Sequence, residues 1–246
     1  MMEKLTVSIT DALYAFCKEK LAKGTDWYTW KVIWKHAPAS ITQSIGNTYE
    51  QNVKLKLDLQ QEWIASPTRR HELEHYYITV WGGVRGNKQN TLERIFNNSD
   101  DENIERGHNG IASWSKALNI RDPNRYAIYD ARVGAALNAL QIVAPTMDPI
   151  YFPLLPGRNK VIENGKPLIK SWAEKNNWKK PPSDFYRQYL GLCAQTARQL
   201  QLDGFDAQLF TVEMVLFAHA EELTKAAFPT HVNDLCKPLK RYAKKS

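Results

Sequence analysis

Cysteine is scarce in this sequence: 246 residues contain only Cys17, Cys193 and Cys236. With no C-x-x-C pair among them, neither a disulfide framework nor a cysteine-built zinc or iron–sulfur site is expected, and a reducing cytoplasm fits. Long apolar runs are missing too. The most apolar stretch, 205–220, is interrupted by Asp206 and Glu213, which argues against a membrane span. The opening Met-Met-Glu-Lys-Leu-Thr has no apolar core of a signal peptide, so secretion is not expected. There is no internal repeat and no low-complexity segment. Hydrophobic residues at 43% and charged residues at 24% exclude disordered, collagen-like and coiled-coil classes. What remains is a compact enzyme or binding protein, long enough to fold on its own core.

The net charge of +7 is unevenly spread. Residues 1–150 hold 18 Lys and Arg against 17 Asp and Glu, whereas residues 151–246 hold 15 against 9. The densest stretch is 157–180, where Arg158, Lys160, Lys166, Lys170, Lys175, Lys179 and Lys180 face only Glu163 and Glu174, with Trp172 and Trp178 between them. Cations interleaved with aromatics suit a phosphate backbone and exposed bases. The same run also describes a solvated loop with two tryptophans turned into the core. A basic tail follows from Lys237, with Lys240, Arg241, Lys244 and Lys245.

Apolar spacing predicts a mainly α-helical chain. Ile9, Ala12, Leu13 and Phe16 mark a first helix ended by Gly24. Tyr186, Tyr189, Cys193, Ala197 and Leu200 mark another, and Leu209, Val212, Leu216, Ala220 and Leu223 a third. Two segments near the N-terminus read as strands: residues 27–34, rich in β-formers, and residues 53–59, which alternate with period two. For the second, the neighbouring Gln60-Gln-Glu-Trp-Ile speaks for a helix instead. Pro145, Pro149, Pro153 and Pro156 mark one boundary. The expected organisation is an N-terminal part over 1–60 with a helix and short strands, a core over 61–145, and a basic helical lobe over 146–246 packed back on it.

Two constellations compete for the chemistry. His71-Glu72-Leu73-Glu74-His75 matches H-E-x-x-H, which on a helix holds zinc between two imidazoles with Glu72 as general base, Glu93 or Glu102 serving as third ligand. Against this stand Thr68-Arg69-Arg70, cations just ahead of the first imidazole, and the extra carboxylate of Glu74. An ordinary charged helix face explains the motif as well. No metal or other cofactor is expected.

The second constellation runs from Arg106 to Asn138. It opens with Gly107-His108-Asn109-Gly110, passes through a helix over 111–120 and a loop bearing Pro123, and reaches Asp130 just before a second apolar helix. A turn with two glycines lets backbone N–H groups approach a phosphate. Asp130 is placed to cap the second helix, where the helix dipole favours a carboxylate.

This stretch resembles the helix–hairpin–helix DNA glycosylase superfamily, and more closely its prokaryotic 8-oxoguanine-glycosylase-like members. The resemblance is specific over Gly107–Asn138 and looser over 70–96 and over 205–220 with Glu213-Met-Val-Leu-Phe217. It implies a helical bundle, Asp130 as the catalytic aspartate, and Gly107 to Gly110 as the phosphate-gripping hairpin. Trp81-Gly-Gly-Val-Arg-Gly-Asn87 falls where the family fills the gap left by an extruded nucleotide, which nominates Arg85 and Asn87. Two departures stand out. His108-Asn109 separate the hairpin glycines where the family has one apolar residue, and Ala112 or Ser113 falls where bifunctional relatives carry a catalytic lysine. Lys116 lies one helical turn further on, so hydrolysis assisted by Asp130 is the favoured chemistry and Lys116 a second candidate nucleophile.

A base inside duplex DNA must be extruded before its glycosidic bond can be cut. As the base leaves, C1′ becomes cationic, and one close carboxylate stabilises that state and orients water. Trp81 and Trp114 are candidates for stacking on the base, although aromatics at helical spacing also serve cores. Arg132, Arg158 and Lys160 are candidate backbone contacts. Arg132 also has the option of an acidic neighbour. The expected partner is double-stranded DNA with a modified base, met by a monomer with no membrane role. Oxidised guanine is the namesake substrate. A bulky phage-type pyrimidine, taken by the basic lobe, would imply antiviral defence instead of repair. The alternatives are a non-catalytic nucleic-acid-binding module and the zinc hydrolase.

Overall fold

The structure is a computed structural model that describes residues 6–239. Residues 1–5 and 240–246, and with them the opening residues and most of the basic tail, lie outside it. Eleven α-helices and no strand are present among the described residues. They are α1 (Ile9–Leu21), α2 (Thr48–Ala65), α3 (Arg70–His75), α4 (Gln89–Asn97), α5 (Asp100–Ile104), α6 (Ile111–Arg121), α7 (Ala131–Val143), α8 (Lys160–Lys175), α9 (Phe185–Leu202), α10 (Leu209–Ala227) and α11 (Val232–Leu235). One π-helical turn, Tyr76–Trp81, continues α3. None of the helices is long and apolar enough to cross a membrane.

Local chemistry sets the helix starts. Ser8 accepts from the amide of Asp11 at the head of α1. Reciprocal capping boxes join Asn47 to Glu50 and Ser99 to Glu102 at the heads of α2 and α5. Helix α7 is deeply enclosed, with every residue from Val133 to Gln141 buried. A helix apolar on all sides belongs inside a bundle, and α7 packs against α10 on one side and the 150–155 segment on the other. Gly134 permits the second contact: a Cβ there would stand 2.6 Å from the Pro153 carbonyl oxygen.

The two candidate strands do not form. Residues 27–33 are an extended loop that ends in a 3₁₀ turn, Trp34–His36. Each indole is satisfied singly: Trp30 Nε1 donates to the Trp81 carbonyl at 3.2 Å and Trp34 Nε1 to Gln51 Oε1 at 3.3 Å. Among the described residues no second strand lies alongside to complete a ladder. Residues 53–59 belong to α2, because the upstream capping box starts a helix that places Leu55 and Leu59 on one buried face. Period two was incidental there.

The H-E-x-x-H residues also go separate ways. His71 is exposed and stacks on Phe96, ring centroids 5.2 Å apart. His75 is exposed as well. Glu72 pairs with Arg69 at 2.9 Å, Glu93 accepts from Gln89 and Glu102 caps α5. Among the described residues, no three His, Cys, Asp or Glu side chains gather as a metal site. Glu74 is the structural member of the motif: buried, it accepts from Trp63 Nε1 at 2.9 Å and from Arg121 Nε at 2.8 Å. Arg121 in turn donates to the carbonyls of Ile95, Phe96 and Asn98 at the end of α4. Glu74→Ala leaves that guanidinium with Asp100, at 3.0 Å, and the carbonyls, and should lower the unfolding free energy by about 2–3 kcal/mol, while His71→Ala should change it by less than about 0.5 kcal/mol. Urea denaturation of the two variants checks both.

Candidate active site

Asp130 closes the buried segment 126–129 and caps α7. Its Oδ1 accepts from the backbone amides of Arg132 at 2.9 Å and Val133 at 3.1 Å. Both bonds fall on one oxygen, and Oδ2 has no donor among the described residues. The carboxylate borders a groove of about 660 Å³ between the 82–86 loop, the heads of α6 and α7, and residues 156–159. Arg85, Lys116, Arg132 and Arg158 also line it, and Asp130 is the one carboxylate in the lining. A wall of cations around a single acid suits a polyanion whose reacting centre becomes positive.

Lys116 reaches this groove by a route that residue counting hides. Helical side chains lean toward the N-terminus of their helix, and the lysine runs back along α6 until its Nζ donates to the Ala112 carbonyl at 2.7 Å. The amine thus stands one turn before its own Cα, beside the position where the sequence lacks a lysine. Lys116 is 3% exposed. Burial pulls its pKa below the ordinary lysine value of 10.5, and Lys56 adds to this, while the carboxylates of Asp130 and Glu213 oppose it. Gly82 makes room for the chain: a Cβ there would lie 2.5 Å from Lys116 Cε and 2.9 Å from the Ile78 carbonyl oxygen.

Beneath the groove lies a narrower chamber of about 30 Å³ that shares Trp30, Gly82, Lys116, Asp130 and Phe217 with it and adds Tyr28, Trp81, Ile128 and Glu213. Trp81 is immobilised twice over. It stacks on Tyr77 with centroids 4.2 Å apart and planes 9° from parallel, and its Nε1 donates to Asn52 Oδ1 at 2.9 Å. Arg132 lies over the Phe217 ring at 5.0 Å and takes the acidic neighbour, Glu221, at 3.4 Å.

Trp114 corrects the expectation of a second stacking tryptophan. It is fully buried, meets Tyr186 edge-on at 4.7 Å and borders neither the groove nor the chamber. Its Nε1 instead donates to the Asn109 carbonyl at 3.2 Å, which braces the hairpin from inside. Within that hairpin Gly107 has φ +58° and Gly110 φ +72°, the left-handed region that favours glycine. His108, Asn109 and Gly110 are exposed, and the amides of His108 and Gly110 donate to no carbonyl among the described residues. Arg106 precedes them, its pKa lowered by burial and by neighbouring Arg94.

The remaining nominees divide. Arg158 donates to the Gly83 carbonyl and ties two walls of the groove together. Asn87 is turned away, its Nδ2 donating to Ser113 Oγ at 2.8 Å. Lys160 is the exposed first residue of α8 and borders neither the groove nor the chamber. In the basic 157–180 stretch, Lys166 pairs with Glu163 at 2.6 Å and Lys179 with Asp148 at 3.0 Å. Trp178, Lys170 and Lys180 line a separate surface cavity with His108.

Sequence reasoning did not nominate Tyr28, Trp30, Lys56, Glu213 or Phe217 for the site. The available signal was an acid inside the apolar α10, with a ring four residues on, and a lysine between Leu55 and Leu59. In comparisons with known proteins the chain matches no family model, no curated protein and no solved structure.

Lys116 holds its proton less firmly folded than unfolded. Its charge therefore destabilises the folded chain below the folded-state pKa, and that penalty disappears as pH rises toward 10.5. Lys116→Met should be more stable than wild type at pH 7 by about 1 kcal/mol or more, with the gap narrowing as pH increases. Urea titrations at successive pH values measure this, and a constant gap would contradict it.

Proposed function

We propose that this chain is a DNA N-glycosylase that extrudes a modified base and cuts its glycosidic bond. One observation carries the reading: the free oxygen of Asp130 and the amine of Lys116 share a cation-lined groove above an aromatic chamber. A groove of this kind suits the backbone around an extruded nucleotide, and a chamber walled by indole and phenyl rings suits the base. The hairpin with its two free amides, next to the head of α6, offers a phosphate contact.

Asp130 acts on the sugar. The two amides that hold Oδ1 fix the carboxylate's orientation, so Oδ2 meets developing charge at C1′ without reorganising. The same oxygen orients or deprotonates an attacking water. Hydrolysis leaves an abasic site and a free base.

A specific observation also favours a covalent variant. The Lys116 amine is buried, with burial favouring its neutral form, and lines both cavities with Asp130. A neutral amine is a nucleophile: attack on C1′ breaks the glycosidic C–N bond, the base leaves with the proton given up by the amine, and opening of the sugar ring gives an imine to Lys116 from which β-elimination expels the 3′ phosphate and cuts the strand. Arg85 and Arg158 on the groove wall would hold flanking phosphates. The modified base, whether oxidised guanine in repair or a bulky phage-type pyrimidine in defence, is sorted by screening duplexes and genomic DNAs of differing modification for abasic sites.

Asp130→Asn should slow single-turnover base release by about 10²–10⁴-fold and leave affinity for the duplex within about twofold. Borohydride should trap an adduct in wild type and none in Lys116→Ala if the covalent route operates, and none in either if water is the nucleophile. Absence of alkali-labile sites on every modified DNA would leave a nucleic-acid-binding module.

A further inference from the structure

The chamber contains a group that the glycosidic step does not use. Glu213 lies on α10 and is 1% exposed, yet it lines the chamber. Lys56 Nζ donates to its Oε2 at 3.1 Å and is itself held by Tyr77 Oη at 3.0 Å. Tyr77 Oη also donates to Asn119 Oδ1 at 3.1 Å. The other carboxylate oxygen, Oε1, has no donor among the described residues. Burial pushes the Glu213 carboxyl up and the Lys56 amine down, and each partner opposes the other's shift.

A buried ion pair is no aid to stability in itself, since apolar residues of like volume do as well or better. This pair also leaves one carboxylate oxygen without a protein donor among the described residues, on a residue that lines the chamber. Four rings, those of Tyr28, Trp30, Trp81 and Phe217, wall the chamber together with Lys116 and Asp130. The volume of about 30 Å³ admits the leading edge of a heterocycle and leaves the rest of the ring at the mouth of the groove.

We infer that Glu213 is the base-reading group of the chamber, accepting a hydrogen bond from an exocyclic amino group on the leading edge of the base. An ionised carboxylate held by a lysine on one oxygen can only accept on the other. An amino edge satisfies it. A keto oxygen in place of that amino group brings two acceptors face to face, the arrangement by which polar sites reject analogues most strongly. The substrate class is therefore an amino-bearing base, guanine-, adenine- or cytosine-type, and uracil- and hypoxanthine-type bases are refused. The setting rests on the glycosylase reading, whereas the recognition chemistry rests on the chamber alone.

Isosteric pairs of free bases separate the two: cytosine against uracil, and adenine against hypoxanthine, each titrated into the full chain while tryptophan fluorescence is followed. The amino member of each pair should bind about tenfold or more tighter, a difference of about 1.4 kcal/mol. In Glu213→Gln, whose amide both donates and accepts, that preference should fall below about threefold. Lys56→Met combined with Glu213→Gln removes the whole pair and guards against misfolding from a stranded lysine. Equal binding within the pairs, no binding of any base, or an unchanged preference in a folded variant would overturn the inference. If the preference stands and wild type releases no base from any DNA, the glycosylase reading fails and the base-reading role remains.

Discussion

The site depends on a division of labour within one carboxylate. Asp130 spends one oxygen on two amides at the head of α7 and keeps the other for the groove. The helix it caps is buried from Val133 to Gln141, so the two amides that hold Oδ1 belong to a well-packed element. Capping and chemistry are compatible because a carboxylate has two acceptor atoms and a helix N-terminus asks for only one. The position of the cap also decides the position of the groove. Helix α6 starts beside it, and the 156–159 segment passes over the first turn of α7, where Gly157 closes on Ala131.

Buried charge is concentrated around this point. Lys56 with Glu213 and the lone amine of Lys116 all lie beside the chamber, whereas Glu74 with Arg121 braces α4 and α6 further away. The two ion pairs differ in completeness. Glu74 and Arg121 are satisfied by Trp63 and by three backbone carbonyls as well as by each other, the pattern of a structural pair. Glu213 keeps an unpaired oxygen, and Lys116 has a single acceptor, the Ala112 carbonyl. Incomplete satisfaction next to a cavity leaves a polar group free to meet a ligand.

Much of this was legible before any fold was known. The helices at 9–21, 185–202 and 209–227 follow the apolar spacing, because a helix that buries one face repeats its large residues at three and four. The carboxylate before an apolar run at 130 marked a cap, and the glycines at 107 and 110 marked a left-handed turn. Residues 27–34 form no strand because β-propensity describes a surface without supplying a partner to pair with, whereas over 53–59 the alternation yields to the helix that Gln60-Gln-Glu-Trp-Ile indicates. Trp114 was misplaced for a related reason: sequence spacing cannot tell a tryptophan facing a groove from one facing the core on the same helix.

Sequence alone determined the helical class, the Asp130 cap and the glycine turn, since each depends on residues within a few positions of one another. Tertiary structure alone decided which distant groups meet. The amine of Lys116 sits beside Ala112 because its side chain runs back one turn and Gly82, 34 residues away, leaves it space. Glu213 and Lys56, 157 residues apart, become a pair only when α10 and α2 close on the same chamber. Such meetings follow from the packing of helices, a property of the whole chain that no local pattern encodes.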